Sequence, residues 1–216
     1  MGKKIVMAVT GGMLFGFVLM HMIGNLKLYL GADALNHYAK GLREIGSPFL
    51  PPSGLLWIAR TVLLVAVALH ILAATQLTRI NRKARPEGYR QYRYIEGSYA
   101  ARTMRWGGVI IALFVIYHLA HFTWGWKLVH ENFIPGDVYH NVVAGFQVWW
   151  VSLIYLVAQL ALGFHLYHGL WSMMQTLGLG RRGSGEWRRS FALGFALIVS
   201  AGNISFPLSV LLGIVT

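Results

Sequence analysis

Five long apolar stretches, near residues 5–30, 54–78, 106–129, 146–176 and 190–215, constrain this chain more than any other feature. At about 1.5 Å per residue, each helix is long enough to cross a hydrocarbon core of about 30 Å. Only 12% of the residues are Asp, Glu, Lys or Arg, against 56% hydrophobic types, so a water-soluble fold would lack polar surface to cover itself. The expected fold is all-α: an integral membrane bundle of five spans, forming a single unit over 1–216. With no cysteine, disulfides, thiolate metal sites and thiol nucleophiles are excluded. The first run is too long for the apolar core of a cleaved signal peptide and carries His21 and Lys27. No soluble domain is evident, so a large catalytic unit would have to be another chain.

A formal net charge of +12 would suggest nucleic acid on a soluble protein. Here most of the 19 Lys and Arg sit in alternate connections, from Arg79 to Arg105, from Arg181 to Arg189, and at Lys3 and Lys4. This is the positive-inside pattern; it predicts a cytoplasmic N-terminus, an external C-terminus and no role in nucleic-acid binding. The basic connection 79–105 could also dock a partner subunit or anionic lipid. GSPFLPPSG (46–54) reads as an outer turn, Pro135 and Gly136 break a second outer loop, and Pro207 is expected to kink the fifth span.

Histidine at bilayer depth is costly and faces the bundle interior with a partner. Six of the nine histidines fall inside spans: His21, His70, His118, His121, His165 and His168. Counting from the span ends places His21 roughly 24 Å and His118 roughly 18 Å from the inner side, both in the outer half. His70 and His165 descend from the outside into the inner half. Two stacked bis-imidazole sites follow, each suited to a b-type haem iron: His21 with His118, and His70 with His165. Depth leaves an ambiguity, because His118 and His121 are three apart, as are His165 and His168, and either member could serve; His121 matches His21 slightly better than His118 does. Gly12, Gly16, Gly24, Ala73, Ala74, Gly163 and Gly169 lie near these histidines and could make room for a porphyrin, or serve helix packing. A zinc site is disfavoured, since the histidines do not converge at one level and no carboxylate lies in the spans.

The stretches LMHMIGNL (19–26), ALNHYAKGLREIGSP (34–48), LHILAA (69–74), RWGGVIIALFVIYHLAHFTW (105–124) and FHLYHGLWSMMQTLG (164–178), in this order, resemble the dihaem cytochrome b membrane anchor of succinate:quinone oxidoreductases, the single-subunit, five-helix type. The resemblance covers nearly the whole chain. It implies axial ligands from the first four helices, at His21, His70, His118 and His165, which resolves the ambiguity in favour of the first histidine of HLAH and of HLYH. His121 and His168 remain as alternates or as groups that orient the ligands. It further implies two haem b, with electrons passing from an iron–sulfur partner and a flavoprotein partner to a quinone, menaquinone by expectation, in the cytoplasmic membrane of a prokaryote. No dicarboxylate chemistry would reside in this chain. Some relatives carry a Glu two positions before the fourth-helix ligand; Gly163 stands there, which puts that proton route in doubt.

Other residues suit the same reading. Asn36, His37, Tyr38 and Glu44 could form a quinone site with a proton relay, although Glu44 could equally pair with Lys40 or Arg43. Ser98, Arg102 and Arg105, with Trp106, stand where the propionates of the inner haem would need cationic or hydrogen-bonding partners, although charges there also enforce topology. Two competing readings are a haem-free quinone-reducing anchor of the same complex and a transporter with a histidine-lined path.

Overall fold

The computed structural model describes residues 2–84, 99–179 and 185–216, with no side-chain description for 99–102. Among these residues the secondary structure is helical throughout. It comprises α1 (Gly2–Asn25), a 3₁₀ turn (Leu26–Leu30), α2 (Ala32–Glu44), α3 (Gly54–Lys83), α4 (Tyr99–His118), a π-helical turn (Leu119–Thr123), α5 (Val138–Gln147), α6 (Trp149–Thr176) and α7 (Gly185–Leu211). Five of these elements are long and apolar enough to cross a membrane, one for each apolar stretch of the sequence. The chain is a multi-pass membrane protein.

The boundaries differ from expectation in instructive ways. The third span ends at Thr123 rather than near 129, because the helix widens into a π turn and Gly125 then takes a left-handed φ of 59°. The aromatic run that follows is loop, its apolar character reflecting an interfacial position. The fifth span begins at Gly185 and continues helical through the buried Pro207 to Leu211. Two segments read as outer loop are helices. In α2, Asp33 in the first turn and Arg43 in the last complement the helix dipole, and Leu35 anchors the apolar face. In α5, the Asp137 side chain caps the N-terminus by accepting from the His140 backbone N–H at 3.0 Å.

α6 is apolar on all sides and packs against α4, α7 and α1, which makes it the axis of the bundle. Its partner α7 presents Ala192, Ala196 and Val199, a narrow stripe that lets the two backbones approach closely. Gly163 belongs to this interface: a Cβ there would stand 2.5 Å from Ser200 Oγ on α7. A longer side chain at 163 would therefore have to displace α7 or turn away from it. α3 packs mainly on α1, burying only Ala66 and Ala73 and leaving Leu64 and Leu72 exposed to lipid. The bundle thus consists of an α1–α3 pair and an α4–α6–α7 group joined through α1 and α6, with a seam between them.

At the end opposite the N-terminus, α2 and α5 cover the bundle. Asn36 clamps them together, donating from Nδ2 to Asp137 Oδ1 at 2.9 Å and accepting from the Tyr139 N–H at 3.0 Å. The His140 N–H and the Asn36 amide hold the Asp137 carboxyl below the usual carboxylate range.

Candidate functional site: two histidine pairs

The seam holds the four histidines that the sequence singled out. His21 of α1 and His118 of α4 face each other with ring centroids 5.8 Å apart and planes inclined at 67°. His70 of α3 and His165 of α6 do the same at 6.3 Å and 63°. The rings are half-buried to exposed along the seam, in contrast to His121, which is completely buried.

The two pairs lie at separate heights, and three helices agree on the distance. On α1, Thr10 Oγ1 lies 3.3 Å from His70 Nδ1, eleven residues before His21. On α4, Gly108 faces the His165 ring ten residues before His118. On α6, the Tyr155 hydroxyl lies 3.2 Å from His118 Nδ1, ten residues before His165. Ten to eleven residues at about 1.5 Å each separate the levels by about 15 Å.

The donor set fits a haem iron. Metal–imidazole bonds of about 2 Å on each side of an iron put the two ring centroids roughly 6 Å apart, the spacing of both pairs. Each Nε2 must then be free of its proton, which requires Nδ1 to carry one and to find an acceptor. At His21 the neighbour of Nδ1 is the Asn25 side-chain Nδ2 at 2.8 Å, itself a donor, so Asn25 would serve a protonated Nδ1 only with its amide turned to present the oxygen; His118 Nδ1 has the Tyr155 hydroxyl at 3.2 Å. His165 Nδ1 is buried without a hydrogen-bond partner, beside a cavity of about 260 Å³ that Gly107, Ala161 and Trp106 help to line. Close approach at the lower pair depends on Gly11, where a Cβ would stand 3.3 Å from the His70 ring. Among the described residues, no group of three or more His, Asp or Glu gathers as it would around a zinc ion.

The second member of each histidine doublet points elsewhere. His121 turns into the bundle among Tyr155, Phe122 and His130, with Nδ1 2.9 Å from the Tyr155 hydroxyl. His168 packs on Trp171, its Nδ1 buried without a partner. The π turn explains the first divergence: its Trp124 N–H reaches back five residues to the Leu119 carbonyl, and the wider turn rotates His121 further from His118 than α-helical spacing would.

Of the residues proposed for quinone, Asn36, His37 and Tyr38 line one open outer cavity of about 980 Å³, together with Lys27, Lys40 and Arg43. Both ends of the Asn36 amide are engaged in the α2–α5 clamp. Glu44 lies in solvent, 3.9 Å from Lys40. Arg105 and Trp106 are exposed at the start of the third span, Trp106 bordering the cavity beside His165. Ser98 and the Arg102 side chain lie outside the described residues. Of the glycines named for porphyrin room, Gly12 faces Met173, Gly24 faces Tyr38 and Gly169 faces Met104, while nothing lies within 4 Å of a Cβ at Gly16. Thr10, Gly11, Asn25 and Tyr155 were not foreseen. Asn25 was within reach of sequence reasoning, since it lies four residues from His21 on one helix face.

A profile of the family described as succinate dehydrogenase/fumarate reductase transmembrane subunit matches residues 78–203, more than half of the chain. The matched segment includes His118, His121, His165 and His168, while His21 and His70 precede it. Comparison with curated proteins and with solved structures gives no significant match. Five membrane-crossing helices, paired histidines between them and the profile match agree: this chain belongs to the family of succinate dehydrogenase/fumarate reductase transmembrane subunits.

Proposed function

We propose that the chain is the dihaem cytochrome b anchor of a succinate:quinone oxidoreductase, with one haem b held by His70 and His165 and the other by His21 and His118. The observation that carries this reading is the recurrence of one geometry: two imidazole pairs, each drawn from two helices, at two heights, with the spacing an iron requires. Bound haem would supply one-electron chemistry at each level, which none of the chain's own side chains can provide. The protein's contribution is position. Close helix packing fixes the pairs about 15 Å apart along the bilayer normal. Asn25 contacts His21, and Thr10 contacts His70.

In this reading the N-terminus and the basic connections face the cytoplasm of a prokaryote, where an iron–sulfur subunit and a flavoprotein subunit dock. Electrons enter near the His70–His165 pair and leave near the His21–His118 pair to a quinone, menaquinone by analogy. Arg105 and Trp106 stand ready for propionates at the inner level. His37 and Tyr38 border the outer cavity, beside the region where quinone would be reduced.

The inclined ring planes supply a test. The electron paramagnetic resonance spectrum of the oxidised complex should show two low-spin ferric signals of the strongly anisotropic kind, which steeply inclined axial imidazoles produce. Signals of the kind given by parallel imidazoles would contradict the pairing, and a complex without ferric haem signals would favour the haem-free anchor.

A further inference from the structure

Behind the outer histidine pair lies a second, buried set of groups that the electron path does not itself require. The Tyr155 hydroxyl stands 3.2 Å from His118 Nδ1 and 2.9 Å from His121 Nδ1. A phenol carries one proton and accepts through its oxygen lone pairs, so it cannot donate to both rings; at least one imidazole must donate to it. His118 can offer a bare Nε2 to a metal only if its proton sits on Nδ1, so in that state His118 is the donor. The Tyr155 proton is then free for the shorter contact, to His121 Nδ1. His121 then carries its own proton on Nε2, a buried atom without a hydrogen-bond partner, and its ring lies 4.7 Å from that of His130, whose Nε2–H is committed to the Asn141 carbonyl at 2.8 Å. Gly145 makes the room, because a Cβ there would stand 2.7 Å from His121 Cε1.

We infer that Tyr155, held in turn by His121, is a positioning residue that fixes the proton of His118 on Nδ1 and strengthens His118 Nε2 as a metal donor. The inference rests on the proposed haem ligation. A phenol oxygen that donates its own proton onward is a better acceptor for the His118 N–H. An imidazole with a strongly bound Nδ1–H is a more basic ligand, which favours the ferric over the ferrous ion. The effect is confined to one level, since the Tyr155 hydroxyl reaches His118 and His121 and neither ring of the His70–His165 pair.

The test is a spectroscopically followed redox titration of the whole purified complex carrying Tyr155→Phe. The expected result is full haem content, a raised midpoint potential for one haem and an unchanged potential for the other. Gly145→Ala, whose methyl meets His121 and His130 first, should raise the same potential by a smaller amount, and it decides the matter if Tyr155→Phe does not assemble. Wild-type potentials at both haems in a fully loaded variant, or equal shifts at both, would overturn the inference. A wild-type complex without haem would instead overturn the proposed function and remove the premise.

Discussion

His165→Ala should leave the proposed dihaem complex with one haem and disconnect quinone from succinate. His70→Ala should do the same, because the two rings form one site across the seam. Loss of either imidazole would leave the proposed iron with one protein ligand beside an enlarged cavity, a substitution more severe than loss of a residue that merely supports a ligand. Supporting residues commonly cost about 10–100-fold, so quinone reduction should fall by at least about 100-fold. Succinate oxidation measured with a soluble acceptor should persist, since the proposed function places the dicarboxylate chemistry in partner subunits. On the proposed ligation His121→Ala and His168→Ala should retain both haems, because His121 packs against His130 and His168 against Trp171, away from the two pairs across the seam. Haem loss in His121→Ala together with retention in His118→Ala would reverse the assignment at the outer level.

Gly125→Ala should be the most damaging of the single-methyl additions. Gly125 has φ of 59°, where a Cβ costs about 1–2 kcal/mol. The added carbon would also overlap the Phe133 ring, and overpacking of this kind costs about 1–3 kcal/mol. Phe133 packs edge-on against His130, which stacks on His121, so the disturbance reaches the buried cluster behind His118. For a chain of this size the midpoint of thermal unfolding should fall by roughly 5 °C or more. Gly194→Ala is the control: nothing lies within 4 Å of its Cβ position on α7, and helix propensity favours alanine, so stability should be unchanged or slightly raised. Equal losses in the two variants would contradict this account of the turn after the third span.

The spans and the histidine levels were legible in the sequence because both depend on one coordinate, depth, and helical rise converts residue number into depth directly. Rotation about each helix axis was not legible, and it decides the remainder. Whether His118 or His121 faces the seam depends on a π turn with no clear sequence signature. Tyr155 could have been placed at the level of His118 by counting ten residues from His165, but counting could not show that its hydroxyl points between two imidazoles. The glycine that approaches a ligand ring is Gly11 rather than its neighbour Gly12, a difference of one step around the helix.

The two outer helices were missed for a different reason. A search for long apolar runs passes over a segment such as Ala32–Glu44, whose apolar residues cover only one face, although Asp33 and Arg43 mark its ends correctly for a helix. Asn36 illustrates the consequence. Polar and next to His37 and Tyr38, it lines the outer cavity with them, while its amide joins two helices that are not evident from the apolar runs.

Pyridine haemochrome quantification of the purified wild-type complex, set against the amount of this chain, tests the central claim most directly. Four imidazoles in two facing pairs predict two protohaems for every copy of the chain. A preparation fully active with quinone but containing none would show that the histidines grip no iron.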